Sequence, residues 1–191
     1  YADIHTPEQF QPRGWVHVNG KPVVWEACQT FSGSWGYHRD EMTWKSPEQL
    51  IQMLVNSVSC GGNLLMNVGP TARGLFDQRA LDALGVYRDW MRLNARSIYG
   101  CTQSEFTPPP DCRYTQNGKR LYLHVFNWPF RHLHLQGLKG KVEYAQLLHD
   151  ASQITFARAN WDVETSEQAL TLELPVRKPD VVVPVIELFL S

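Results

Sequence analysis

The chain holds 191 residues, 43% hydrophobic and 12% aromatic, enough for one sizeable core or two small ones. Eighteen basic against nineteen acidic residues leave a formal charge of −1, so neither nucleic acid nor an anionic membrane is an implied partner, and a neutral polar substrate is the natural one. No apolar run approaches the length of a membrane-spanning helix, and Tyr1-Ala2-Asp3 does not open a signal peptide.

Residues 1–12 read as the end of a strand and a loop, with Glu8 lying between Pro7 and Pro12 on backbone too stiff to be helical. Residues 16–24 place apolar side chains around Asn19-Gly20, a turn signal that delivers the chain to a strand over 23–30. The loop 31–43 then carries Gly33, Trp35, Gly36, Tyr37 and His38. Aromatic residues among glycines in a loop suit stacking on a ring. A helix follows: Ser46 is an N-cap, Pro47 fits the first helical position, Glu48 complements the dipole and Gln49 completes a capping box. Leu50, Ile51, Leu54, Val55 and Val58 form its inward stripe, and Gly61-Gly62 ends it. Gly61-Gly62 is no phosphate cradle, because a strand follows it and the Lys and Ser/Thr of a P-loop are missing. Leu64, Leu65, Met66 and Val68 run without polar alternation, which predicts a parallel strand buried on both faces. Strand, loop, helix and strand make one αβ repeat of a parallel sheet or barrel, whose site belongs in the loops after the strands.

A second helix is predicted over 78–95, capped by Asp77, with Leu81, Leu84, Tyr87 and Met91 along its inward face. The Pro-rich stretch 106–111 is the clearest break in composition, placing one domain at 1–105 and another at 106–191. Beyond it the period becomes two. Leu121, Leu123 and Val125 alternate with Tyr122, His124 and Phe126, Leu133 and Leu135 with His132 and His134, and Leu170, Leu172 and Leu174 with Thr171 and Glu173. These read as half-buried antiparallel strands which, with 142–148, 154–157 and 181–190, suggest a small β-sandwich. Pro184 predicts an edge or a bulge in the last segment. Cys28, Cys60, Cys101 and Cys112 show no CxxC spacing, so zinc or a redox pair is not implied. Cys101 and Cys112 could pair across a loop, free thiols are the expected state, and the compartment stays open. His124, His132, His134 and His149 invite a metal, but three of them fall on polar strand faces where solvated side chains are the default.

The phrases WEACQT, SWGY, KSPEQLI, LVNSVSCGGNLLMNVGPTARG and NARSIYG, in that order, resemble the C-terminal part of the catalytic domain of α-L-fucosidases of glycoside hydrolase family 29. The resemblance is close over roughly the first hundred residues and looser beyond. It implies the C-terminal part of a (β/α)8-like barrel followed by an antiparallel β-sandwich domain. It also implies a retaining exo-α-L-fucosidase that removes terminal α-L-fucose from glycoconjugates or oligosaccharides without a cofactor, in a secreted, periplasmic or lysosomal setting ahead of a cytoplasmic one.

Retaining hydrolysis needs two carboxyl groups about 5 to 5.5 Å apart. The resemblance implies that Glu8 is the general acid/base, and that Trp35 lines the pocket against the apolar side and methyl group of fucose, with Tyr37, His38 and Arg39 at the rim. Without the family, Glu8 reads as a solvated loop acid. Glu26 is the rival: a carboxylate inside an apolar strand needs partners and can be perturbed into a catalyst. Its other reading, favoured by the better access of Glu8, is a structural acid beneath the site. In the family the nucleophilic aspartate and the histidines that grip the sugar lie upstream, and Asp3 and Asp40 do not match that aspartate. The expected partners are therefore a fucosylated glycan and the upstream N-terminal part of the same barrel, with the oligomeric state left open. The chain reads as a fragment, a nicked product or one half of a split enzyme, because a barrel closes only with all its strands. The alternative is a non-catalytic carbohydrate-binding or interaction module.

Overall fold

The computed structural model describes residues 3–157 and 168–191, so the strand end expected at Tyr1 and Ala2 lies outside the described residues. The chain divides into two compact units, Tyr1–Arg92 and Leu93–Ser191.

In the first unit, β1 (His17–Val18) and β2 (Lys21–Pro22) form the hairpin announced by Asn19-Gly20. Both turn residues take positive φ, 51° and 75°, matching the twist of a tight hairpin. β3 (Glu26–Thr30) begins later than the apolar pattern predicts, with Val24 59% exposed ahead of it. α1 (Pro47–Ser59) starts as its sequence dictates. The Gln49 amide donates to Ser46 Oγ at 3.3 Å and the Ser46 amide to Gln49 Oε1 at 2.8 Å, the reciprocal capping box. β4 (Asn63–Asn67) returns parallel to β3, pairing Glu26 with Asn63 and Thr30 with Asn67. Trp25 and Ala27 are buried, as are Leu50, Ile51 and Val55 of α1, which packs on β4. Gly62 lies directly under the Trp25 ring, where a Cβ would come within 2.2 Å.

Two expectations fail here. Leu65 is 47% exposed, because no layer among the described residues covers the face it shares with Asn63, Glu26 and Cys28. The run Leu64-Leu65-Met66 is apolar on both sides, yet Leu64 and Met66 on the side facing α1 are only partly buried and Leu65 on the other is exposed. In α2 (Gln78–Asn94) the inward stripe is Ala80, Tyr87, Trp90 and Asn94, while Leu81 and Leu84 are 46% and 38% exposed. Trp90 carries more apolar area than either leucine and turns the helix by its own spacing. Tyr87 anchors the arrangement, its hydroxyl donating to the Leu50 carbonyl at 2.7 Å and its ring meeting Phe31 edge-on at 6.3 Å.

The second unit opens with a 3-10 turn at Ala95–Ser97. Its strands are β5 (Thr102–Gln103), β6 (Cys112–Asn117), β7 (Arg120–Val125), β8 (His132–Leu135), β9 (Val142–Leu147), β10 (Thr155–Phe156), β11 (Leu170–Glu173) and β12 (Val185–Leu190). They make two antiparallel sheets, ordered β5-β6-β7-β12-β9 and β10-β11-β8. Leu121, Leu123, Ile186 and Leu188 of the larger sheet share one apolar core with Leu135 and Leu172 of the smaller. Because β5 pairs with β6, the Pro-rich stretch 106–111 is a loop inside this unit. Among the described residues all four cysteines are free thiols, and burial pushes Cys101 up to about 11 and Cys112 up to about 12. β12 is central, flanked by β7 and β9, so the last segment is no edge; its register with β9 does shift, but at Phe189/Leu190, away from Pro184. Pro184 sits just ahead of the strand, where a missing N–H costs no ladder bond, and its carbonyl accepts from the Val125 amide.

β7 is not half-buried. Tyr122 and His124 are 4% and 0% exposed, because the 3-10 turn lies over their face and Thr115 Oγ1 bonds both the Ser97 carbonyl at 2.6 Å and His124 Nε2 at 2.9 Å. Burial pushes His124 down from 6.5 to about 3. Above about pH 6.5 both folded and unfolded chains carry a neutral imidazole. Below it only the unfolded chain takes the proton, so stability falls by about 1.4 kcal/mol per pH unit until the folded pKa is reached. Urea midpoints at pH 7.5, 6 and 5 should therefore drop more steeply in the parent than in His124→Gln; equal slopes would place the acid sensitivity elsewhere.

Candidate active site

Residues 5–9 form no free loop. They extend the parallel sheet beside β3, with His5 bridged to Trp25 and Glu8 to Cys28. The amides of Glu26 and Cys28 donate to the His5 and Pro7 carbonyls, and the Gln9 amide to the Cys28 carbonyl, all at 2.9 Å. Gln9 then takes a φ of 47° and turns the chain. Glu8 is thus the last extended residue of a parallel segment, exposed at its C-terminal end, where sites on parallel sheets collect.

Alternation along these strands puts Glu8, Glu26 and Cys28 on one face. Burial raises the Cys28 pKa, and the carboxylates of Glu8 and then Glu26 raise it further by disfavouring a thiolate. The structure therefore brings both sequence candidates together around one thiol, on the uncovered side of the sheet.

Trp35 and Tyr37 stand in the loop after β3, 40% and 39% exposed. The loop is held at its base by Lys45, whose ammonium donates to the carbonyls of Thr30 at 2.6 Å and Ser32 at 2.9 Å. Partial burial lowers the Lys45 pKa, partly offset by Glu41. Its far limb is held by Arg79, which donates to the carbonyls of Glu41 at 2.9 Å and Arg39 at 3.2 Å and lies over the Trp44 ring at 4.8 Å. Arg79 is itself fixed by Asp77, whose carboxyl the guanidinium holds down at about 2. His38 lines the shallow recess beneath the loop together with Tyr37, Trp44 and Asn67. Arg39 and Asp40 pair with each other at 3.0 Å on the exposed surface.

Sequence reasoning missed Asn67, Gly69, Lys45 and Arg79, which shape this loop. Asn67 was legible as the polar interruption in an apolar run, and Gly69 only as part of a Gly-Pro turn. Of the four histidines, His132 and His134 are exposed on β8, His149 is partly buried and His124 is in the core. Among the described residues no three of His, Cys, Asp or Glu group as metal ligands.

Residues 1–96 match the family described as Alpha-L-fucosidase. Human plasma alpha-L-fucosidase is 32% identical over 167 residues, 81% of this chain and 34% of that protein, so the chain spans about a third of this curated relative. Alpha-L-fucosidase isoenzyme 1 from Paenibacillus thiaminolyticus superposes with a TM-score of 0.91 at 41% identity, over 99% of this chain and 45% of that one. An alpha-L-fucosidase of family GH29 from Bacteroides thetaiotaomicron superposes with a TM-score of 0.82 at 29% identity, over 97% of this chain and 43% of that one. That enzyme was trapped as a covalent intermediate with 2-fluoro-fucosyl fluoride in a glutamate-to-glutamine variant.

Proposed function

This chain belongs to the α-L-fucosidases of glycoside hydrolase family 29, and on that premise we propose that it supplies the acid/base part of a retaining exo-α-L-fucosidase acting on terminal α-L-fucose of glycans. The observation that carries the proposal is the position of Glu8: an exposed carboxyl on the last extended residue of a parallel segment, on the same open face as Glu26 and Cys28.

In the first step the Glu8 carboxyl gives its proton to the glycosidic oxygen as the bond to the anomeric carbon breaks, while a second carboxylate on the opposite side of the sugar takes that carbon. In the second step the Glu8 carboxylate takes a proton from water, and the resulting hydroxide displaces the enzyme carboxylate and restores the original anomeric configuration. In this reading the nucleophile is the aspartate that the resemblance to the family implies upstream of these residues, and Asp40, paired with Arg39 in an exposed loop, does not match it. The covalent intermediate of the Bacteroides relative, held in a glutamate-to-glutamine variant, supports this two-step reading. Glu26 is the structural acid beside the site. Trp35 forms the pocket wall against the methyl side of fucose, and Tyr37 its rim.

The architecture this entails is the C-terminal part of a (β/α)8-like barrel followed by an antiparallel β-sandwich domain, with the division at Leu93, ahead of β5, rather than at the Pro-rich stretch. The parallel segment, β3 and β4 with α1 on one side, and two antiparallel sheets around one core, support it. Among the secreted, periplasmic and lysosomal settings that the resemblance implies, the plasma enzyme among the relatives supports the secreted one.

The test is hydrolysis of an aryl α-L-fucoside by the isolated protein, with its polypeptides identified by intact mass and the first-formed sugar anomer by NMR. Turnover with retention that requires an upstream polypeptide is the expected result. Turnover by the 191 residues alone would place a nucleophile inside them and overturn the division of roles.

A further inference from the structure

The tip of the Trp35 loop meets the chain at two points, one at the last residue of β4 and one just beyond it. Lys45 and Arg79 grip the limbs of the loop through the carbonyls of Thr30, Ser32, Arg39 and Glu41. The tip between them is reached by a different side chain. Asn67, the last residue of β4, pairs with Thr30 in the parallel ladder, and its Nδ2 donates to the Trp35 carbonyl at 2.5 Å. Two residues on, Gly69 lies against the same tip, where a Cβ would come within 2.3 Å of the Tyr37 nitrogen and 2.4 Å of the Gly36 carbonyl carbon. Those are backbone atoms, which cannot swing aside as a side chain would.

We propose that Asn67 is a positioning residue for sugar binding: its amide, with the bare backbone of Gly69 beneath, sets where the Trp35 indole stands. This rests on the reading of Trp35 as the pocket wall. The indole is 40% exposed, so packing alone leaves it freedom, and the backbone beneath it decides its direction. A donor to the Trp35 carbonyl fixes that backbone and removes disorder that sugar binding would otherwise have to remove.

The test uses the full-length enzyme with L-fucose as competitive inhibitor and an aryl α-L-fucoside as substrate. Asn67→Ala and Asn67→Asp should raise the Ki of fucose and the KM about tenfold, the size of one lost hydrogen bond, with kcat changed less than about threefold. Asn67→Asp keeps the side chain's shape but turns an oxygen towards the carbonyl, so a folding failure of the alanine variant leaves the test standing. A role in packing alone would leave Asn67→Asp close to the parent. Gly69→Ala should act in the same direction. The double variant Asn67→Ala/Trp35→Ala should bind fucose no worse than Trp35→Ala, because the clamp acts only through the indole.

Weaker fucose binding in Trp35→Ala with unchanged binding in Asn67→Asp would overturn the inference alone, as would independent losses in the double variant. Unchanged fucose binding in Trp35→Ala would overturn the pocket-wall reading, and the inference with it.

Discussion

Replacing Glu8 by glutamine in the full-length enzyme should lower turnover of natural fucosides by about 10² to 10⁴-fold, the range that a positioned general acid or base contributes. An aryl fucoside with a strongly acidic phenol as leaving group should lose far less in the first step, because that oxygen departs without a proton. With such a substrate the second step, which needs Glu8 as base, becomes limiting, and the covalent intermediate accumulates as a burst. Added azide, a nucleophile that needs no deprotonation, should then restore turnover and yield the fucosyl azide. Glu26→Gln should show neither the dependence on leaving group nor the rescue. The reverse pattern, rescue at Glu26 and none at Glu8, would exchange the two roles while leaving the open face of the sheet as the site.

Trp25→Ala should destabilise the first unit by about 3 to 5 kcal/mol, the cost of emptying a large aromatic site in a core. Trp25 is fully buried just ahead of β3, over Gly62, with its carbonyl accepting from the Asn63 amide at 3.0 Å. The flat approach of ring to glycine leaves little that can collapse into the hole. Trp25→Phe should cost much less, since a smaller ring still covers Gly62 and the indole Nε1 it removes is buried without a hydrogen-bond partner among the described residues. Chemical denaturation of both variants measures this. An alanine variant within about 1 kcal/mol of the parent would mean that the ring packs against nothing that matters.

What could be read from the chain was what is decided within a few residues. The Ser46 capping box, the Asn19-Gly20 turn and the alternation along β8 are local contracts between neighbours, and the structure contains each of them. What failed was decided by segments far apart in sequence. Tyr122 and His124 look like the wet side of a strand until the turn at Ala95–Ser97 closes over them. Leu65 looks buried until no layer is found over its face. Periodicity reports which positions on α2 are apolar, but the competition between Trp90 and Leu84 for the inward side is settled by volume. At the candidate site, Glu8 reads as an ordinary loop acid by pattern, and only a family resemblance singled it out. Its place at the end of a parallel segment depends on a pairing with β3 that no local signal encodes. Asn67 and Gly69 escaped notice for the same reason, since their work is done on a loop some thirty residues earlier.

The way that loop is held has an evolutionary side. Lys45, Arg79 and Asn67 all donate to main-chain carbonyls, those of Thr30, Ser32, Arg39, Glu41 and Trp35. A carbonyl is present whatever residue bears it, so attachment depends on the course of the backbone and hardly on the identity of the residues displayed. Attachment through carbonyls therefore leaves the exposed residues of the loop's tip free to drift in sequence, while Phe31, Trp44 and Lys45, which pack or grip through their own side chains, must be kept together with the loop's length and its close approach at Gly69. If Trp35 is the pocket wall proposed above, the tip is a cassette: exchanging its exposed residues at constant length should change sugar preference while the scaffold that seats it stays unchanged.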